Sequence, residues 1–281
     1  MSRTEVTTVH VFSDGPNGGN PAPIVLDASG MTDDDMQRVA QRYGHECGFV
    51  FPAKPGDDID FSLRFWVPTQ EMSMCGHVTL GAVWLLQRGA ATHGSRLRVG
   101  TASGVIDARV SFSGDVEIAQ PAGSSAPVPP TAVPGILAAL GLAPEDLADR
   151  PVRNASTSRV KTLVPVRSTA VLDAIAPNYA LVAEACAAAE STGLYPYAVA
   201  EPLVFEARQF PRSSGYPEDA ATGIAAAALV YGLIADGLVD GLNPGSRDTL
   251  HVRQGRAMGS PSLITVTLRD EGGVWLGGQV R

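Results

Sequence analysis

Apolar and polar residues alternate over residues 6–12, the pattern of a strand with one buried face, and the turn formers of residues 13–21 make the next stretch a loop. A second strand restarts at residues 24–26. Thr32 followed by Asp33, Asp34 and Asp35 predicts a helix start, because acidic side chains suit the positive end of the helix dipole. That helix covers residues 36–43 and stops at Gly44. Residues 49–51 and the alternating run 59–66 read as strands, with a break at Pro68. Residues 77–86 are apolar nearly all round, so the helix they form is buried. Short strands follow at residues 97–99, 104–110 and 116–118, spaced as in an antiparallel sheet curling around that helix.

The Pro- and Ser-rich stretch 121–134 reads as a linker, which sets the expected lobes at residues 1–120 and 121–269, with 270–281 returning to the first. The second half predicts helices near 136–140 and 179–189, strands near 162–166, 197–199 and 203–210, and an apolar helix opening at Gly223 and running through Ile234. One unit occurs twice: a strand carrying an Arg, a Pro-broken loop, a Gly at a helix start, a buried helix. Arg64, Pro68 and Gly76 parallel Arg208, Pro211 and Gly223. This is a divergent duplication, not a short-period repeat.

Composition narrows the function classes. With 44% hydrophobic and 18% charged residues in 281, the chain is a globular protein able to bury a sizeable core. A net charge of −8 without a compensating basic cluster argues against nucleic acid as a partner. The N-terminal residues lack the apolar run of a signal peptide and no stretch is long enough to span a bilayer, so the expectation is a soluble, cytoplasmic protein without a membrane partner. Cys47, Cys75 and Cys186 form no paired framework, as expected in a reducing compartment.

Candidate chemistry gathers at two helix starts. Gly76 and Gly223 each open a buried helix whose first N–H groups have no intrahelical acceptor, an arrangement suited to a carboxylate; the bland reading is close helix packing. Glu46 stands at the entrance of an apolar strand, where a carboxylate is costly unless protonated, paired or used. It is either a general acid/base or one member of a structural ion pair. His77 lies in the first turn of its helix and Asp219 just before the other; a core histidine and a helix cap are the alternatives. Cys75 at a helix N-terminus is reactive or inert packing. No dinucleotide fingerprint, P-loop or nucleophile elbow occurs, and His45, Cys47, Cys75 and His77 lack a complete ligand spacing, so no metal is expected.

The ordered set Gly19-Asn20-Pro21, Glu46 ahead of Phe49-Val50, Phe65-Trp66-Val67-Pro68 with Glu71, Cys75-Gly76-His77-Val78-Thr79, Pro217-Glu218-Asp219-Ala220-Ala221-Thr222-Gly223 and Val274-Trp275-Leu276-Gly277-Gly278 resembles the PhzF-like family. The resemblance spans nearly the whole chain. It implies an α+β, diaminopimelate epimerase-like fold: two pseudo-symmetric lobes, each a curved, mostly antiparallel sheet around a central helix, with the active site in the cleft. It also implies an isomerase that needs no cofactor, usually a homodimer. Glu46 matches the proton-transferring position, and His77 and Asp219 match residues that bind and protonate the substrate. Gly76 and Gly223 match the glycines whose N–H groups meet its carboxylate, and Asn20, Cys75, Thr222 and Ile224 fall within the matched binding motifs.

Two departures matter. Ile224 stands where phenazine enzymes tend to have Ser, which removes a polar contact. Related epimerases and racemases use two cysteines; Cys75 matches the first, but Ala220 occupies the second position. Inversion needs a base and an acid on opposite faces, whereas one carboxylate returning its proton to the same face suits double-bond migration. The expected activity is therefore a proton and double-bond shift in a small unsaturated carboxylic acid of specialised, antibiotic- or phenazine-like metabolism. An amino-acid epimerase and a non-catalytic binding protein remain as alternatives.

Overall fold

The computed structural model describes residues 5–88, 95–111, 114–239, 242 and 248–281. The reading of the first four residues lies outside them. The chain divides into two compact units, Met1–Ala119 with Gly277–Arg281, and Gln120–Leu276. The returning segment is thus shorter than residues 270–281: Val274–Leu276 stay with the second unit.

In the first unit β1 (Thr7–Val11) is antiparallel to β2 (Asn20–Val25), and β2 is parallel to β3 (Cys47–Pro52). Next, β3 is antiparallel to β4 (Phe61–Val67), which turns at Pro68 into the short hairpin partner β5 (Gln70–Met72). Beyond β4 come β6 (Arg96–Thr101) in parallel, then β7 (Gly104–Val110) and β8 (Val116–Gln120), both antiparallel. Helix α1 (Asp33–Tyr43) has the expected start: Thr32 and Asp35 form a capping box, and Gly44 ends it at φ 70°. Its buried Met36 and Ala40 pack on Cys47, Phe49 and Trp66.

Helix α2 (Gly76–Gln87) buries eight successive residues from Gly76 to Val83, which explains why its sequence shows no polar face. It lies against β1, β2 and β3. Gly48 permits this approach: a Cβ there would stand 2.4 Å from Val78 Cγ1, well inside van der Waals contact.

The second unit begins with β9 (Ser124–Pro127), antiparallel to β10 (Arg153–Ser156), with α3 (Val133–Leu140) between them in sequence. The stretch 121–134 is therefore not a mere linker. Its Ser- and Pro-rich sequence hides a strand that pairs with β10. The sheet continues through β11 (Lys161–Pro165), antiparallel to β10, and β12 (Gly193–Glu201), parallel to β11, with α4 (Thr169–Ala174) and α5 (Tyr179–Ala188) in the connection.

Residues 203–210, expected as one strand, form β13 (Val204–Ala207) and the short β14 (Phe210–Pro211), both paired antiparallel with β12. Then come α6 (Gly223–Ala235), β15 (Leu250–Gln254) parallel to β13, β16 (Ser262–Leu268) antiparallel to β15, and β17 (Val274–Gly277).

Core side chains of α3 and α5 cluster with Val164, Leu194 and Phe210 on one face of this sheet. Alternation turns Leu163 to the other face, where α6 packs so closely that a Cβ on Gly232 would meet Leu163 Cδ1 at 2.3 Å. From β1 to β7 the ladder reads antiparallel, parallel, antiparallel, parallel, antiparallel, with α2 between the fourth and fifth strands. From β10 to β16 it reads the same, with α6 in the equivalent place. Among the described residues no helix is long and apolar enough to cross a membrane.

Candidate active site

In the first unit three chain segments bring together Asn20, Glu46, Cys75, Gly76 and His77. Asn20 opens β2 and is buried, so the strand begins earlier than its apolar run suggests. Glu46 immediately precedes β3 and is only 8% exposed. Its charge is felt on both sides. Burial first and Glu46 second push the Cys47 thiol up to about 12. Burial lowers the His77 pKa, while Glu46 and the Pro21 carbonyl favour the charged ring without reversing the shift and His45 opposes it. Glu46 and His77 thus share one electrostatic environment.

Cys75 is the N-cap of α2, with its sulfur 3.3 Å from His77 Nδ1, and His77 Nε2 is buried without a hydrogen-bond partner among the described residues. The α2 start has no side-chain cap and no acidic residue in its first turn. Its leading N–H groups, from Gly76 onward, are of the kind that bind an anion.

The counterpart in the second unit is built around the start of α6. Arg208 forms a two-pronged ion pair with Glu218, at 2.9 and 2.8 Å, and its remaining nitrogen donates to the Leu172 and Ile175 carbonyls. This anchors the far end of the loop over residues 212–219. Arg64 grips Glu71 in the same way in the first unit, at 2.6 and 2.8 Å. The Arg recognised in both halves of the sequence therefore clamps a Glu of the chain leading toward each helix start.

Beyond Glu218, the Asp219 amide donates to the Gln209 carbonyl, and the Thr222 hydroxyl donates to Asp219 Oδ2 at 2.5 Å. Gln254 ties the cluster together: its Nε2 donates to the Asp219 carbonyl at 2.7 Å and to Thr222 Oγ1 at 3.2 Å. Its Oε1 accepts from the Thr222 amide and from the buried Tyr195 hydroxyl. Thr222, although the N-cap of α6, offers no side-chain cap, so Gly223 and half-buried Ile224 begin a second uncapped, acid-free helix start.

Sequence reasoning missed Lys161, Tyr195, Gln209 and Gln254. Tyr, Gln and Gln carry no motif, but Lys161 left a signal: it and Lys54 are the only lysines among 21 Lys and Arg residues. Metal ligation finds no gathering of three or more His, Cys, Asp or Glu among the described residues.

Residues 9–278 match the model of the phenazine biosynthesis-like protein family, PhzC-PhzF. A Deinococcus radiodurans protein named as an uncharacterized isomerase is 30% identical over 276 residues, covering 96% of this chain and 88% of that protein. The trans-2,3-dihydro-3-hydroxyanthranilate isomerase of Pseudomonas chlororaphis is 28% identical over 91% of this chain and 87% of its own length. A predicted epimerase of known structure from Pseudomonas aeruginosa superposes with a TM-score of 0.81 at 25% identity, covering 98% of this chain and 95% of that one. The fold is accordingly the α+β, epimerase-like one of these proteins, and the chain belongs to the phenazine biosynthesis-like family as an isomerase.

Proposed function

We propose that this isomerase moves a proton, and with it a double bond, in a small unsaturated carboxylic acid, with Glu46 as the proton carrier. The observation that carries the reading is a buried carboxylate at the entrance of β3 sharing its field with a buried histidine in the first turn of an uncapped helix. Glu46 takes the proton from the carbon next to the unsaturation and returns it further along the chain of conjugation, on the same face. His77 and Asp219 bind the substrate and steady its protonation. By the family resemblance, Gly76 and Gly223 match the glycines whose N–H groups meet the substrate carboxylate. Asn20, Cys75, Thr222 and Ile224 complete the contacts, and Ile224 favours an apolar substituent where a hydroxyl side chain would ask for a polar one.

Support comes also from what replaces the racemase machinery. Related epimerases and racemases use a second cysteine at the position that Ala220 occupies in this sequence. An epimerase acting through Cys75 would lose activity in Cys75→Ser, whereas the one-carboxylate reaction largely retains it. The reading places the protein in the cytoplasm as a homodimer serving specialised metabolism, and light scattering of the purified chain tests the dimer.

The decisive experiment incubates the protein in D₂O with trans-2,3-dihydro-3-hydroxyanthranilate and a panel of small unsaturated acids. Glu46→Gln should cut deuterium incorporation and turnover by at least about 10²-fold, the lower end of general acid–base contributions. Undiminished exchange in that variant would overturn the proposal.

A further inference from the structure

Lys161 is absent from every motif discussed above, and its placement is unusual for this chain. The protein uses arginine for nearly all its cations: of 21 Lys and Arg residues only Lys54, which is exposed, and Lys161 are lysines. Lys161 is 5% exposed. Arginine in proteins stays charged, while a buried lysine titrates readily, so the one buried position given to lysine is the one where the charge can be lost.

The register locates it. Leu163 pairs with Tyr195 across β11 and β12, and Leu163 is the residue against which Gly232 of α6 packs. Alternation along β11 turns Lys161 to that same face. Tyr195 there feeds Gln254, which holds both Asp219 and Thr222. A second polar group lies close by. The Gln209 side chain takes the place a Cβ on Gly193 would need, 2.1 Å from its Nε2, and Gly193 is the residue before Leu194, the partner of Thr162. Gln209 is 1% exposed, and neither of its amide atoms finds a hydrogen-bond partner among the described residues. The α6 face of β11 and β12 therefore carries buried polar side chains, Lys161 and Gln209, beside the apolar contact of Leu163 with α6.

We propose that Lys161 is a positioning residue that acts through Asp219: its ammonium is the buried counter-charge of that carboxylate, and its protonation sets the charge of the cluster at the α6 start. Burial lowers the Lys161 pKa to about 8, Asp219 pulls it back up, Arg159 lowers it and Cys186 raises it. The other groups around it do not change state near that pH. Burial first holds Tyr195 far above its ordinary range and Asp219 raises it further; burial raises Cys186 to about 11, against Lys161 and Arg212. Below about pH 8 the Lys161–Asp219 pair is neutral in sum, and the helix dipole of α6 can attract a carboxylate. Above it the pair is negative, and an anionic substrate is repelled. The consequence for catalysis rests on the reading that Asp219 and the α6 start meet the substrate; the charge pairing does not.

Labelling lysine with ¹³C at Cε in the full chain gives two resonances, which a pH titration followed by NMR resolves. One should titrate as an ordinary lysine and the other, absent in Lys161→Met, near pH 8. Asp219→Asn should lower that second midpoint, because the charge that raised it is gone, and the amide spectrum reports that the variant is folded. An ordinary midpoint for Lys161 in the wild-type protein, which needs no variant, overturns the proposal, as does a midpoint indifferent to Asp219→Asn. In the turnover assay above, KM should rise through the same pH range while kcat stays level, and Lys161→Arg should abolish the rise; an alkaline limb in kcat alone overturns the role through Asp219. Absence of turnover on the whole panel would count against the proposed function while the NMR titration still decides this one.

Discussion

Replacing Lys161 by Met removes the buried amine while keeping a long unbranched side chain, and the outcome is set by the cost of holding an ammonium in the second unit. Its pKa falls from an ordinary 10.5 to about 8 on folding. At about 1.4 kcal/mol per pH unit, this amounts to about 3 kcal/mol of differential stabilisation. The folded pKa is depressed, so between about pH 8 and 10.5 the unfolded chain binds more protons than the folded one, and folding stability rises with pH. Below pH 8 both states carry the proton and the native state bears the whole penalty; above 10.5 neither does and the penalty is gone.

Lys161→Met should therefore be more stable than the wild type at pH 7, by less than about 3 kcal/mol because half-buried Asp219 loses its counter-charge. That advantage should shrink by about 3 kcal/mol as the pH rises to about 10.5. Burial-raised Cys47, Cys186 and Tyr195 act in the opposite sense, losing stability as pH rises above their unfolded values. They are present in both proteins, so the difference between the two curves cancels most of their effect. Urea unfolding followed by circular dichroism at pH 7, 8, 9 and 10 measures that difference. Parallel curves, within about 0.5 kcal/mol across the range, would refute the reasoning.

The Arg208–Glu218 clamp makes a second test. Arg208→Met leaves a buried carboxylate without its partner and two carbonyls without their donor, at a cost of about 3–5 kcal/mol in urea unfolding, part of which Glu218→Gln in the same chain should recover. A loss below about 1 kcal/mol would mean that the loop is anchored by other contacts. Burial keeps His77 neutral at pH 7, so its ring should protonate only below the ordinary value of 6.5, and the cost of charging it removes stability as the pH falls below that value. Long-range ¹H–¹⁵N spectra of the five histidines check this directly, and a cationic His77 at pH 7 would contradict it.

Which parts of this protein were legible in the sequence follows from the range of the forces involved. Local ones left their mark on neighbouring residues. Thr32 and Asp35 announced the α1 cap, Gly44 its end, Pro68 the turn from β4 to β5, and the unbroken apolar runs the two buried helices. The repeated Arg–Pro–Gly order exposed the duplication, and the motif order brought Glu46, His77 and Asp219 forward as candidates. Elements with weak local patterns escaped: β9 lies in a Ser- and Pro-rich stretch, and β10, β15 and β16 took their places through long-range ladders.

Only the tertiary structure decided what the candidates touch. Glu218 and Glu71 became clamps because Arg208 and Arg64 reach them across turns. Gln254 joined Asp219 and Thr222 from a strand 35 and 32 positions away. Lys161 became a titrating group because β-sheet register and the packing of α6 took it out of water, and solvation, unlike capping or turn formation, is a property of the folded chain as a whole.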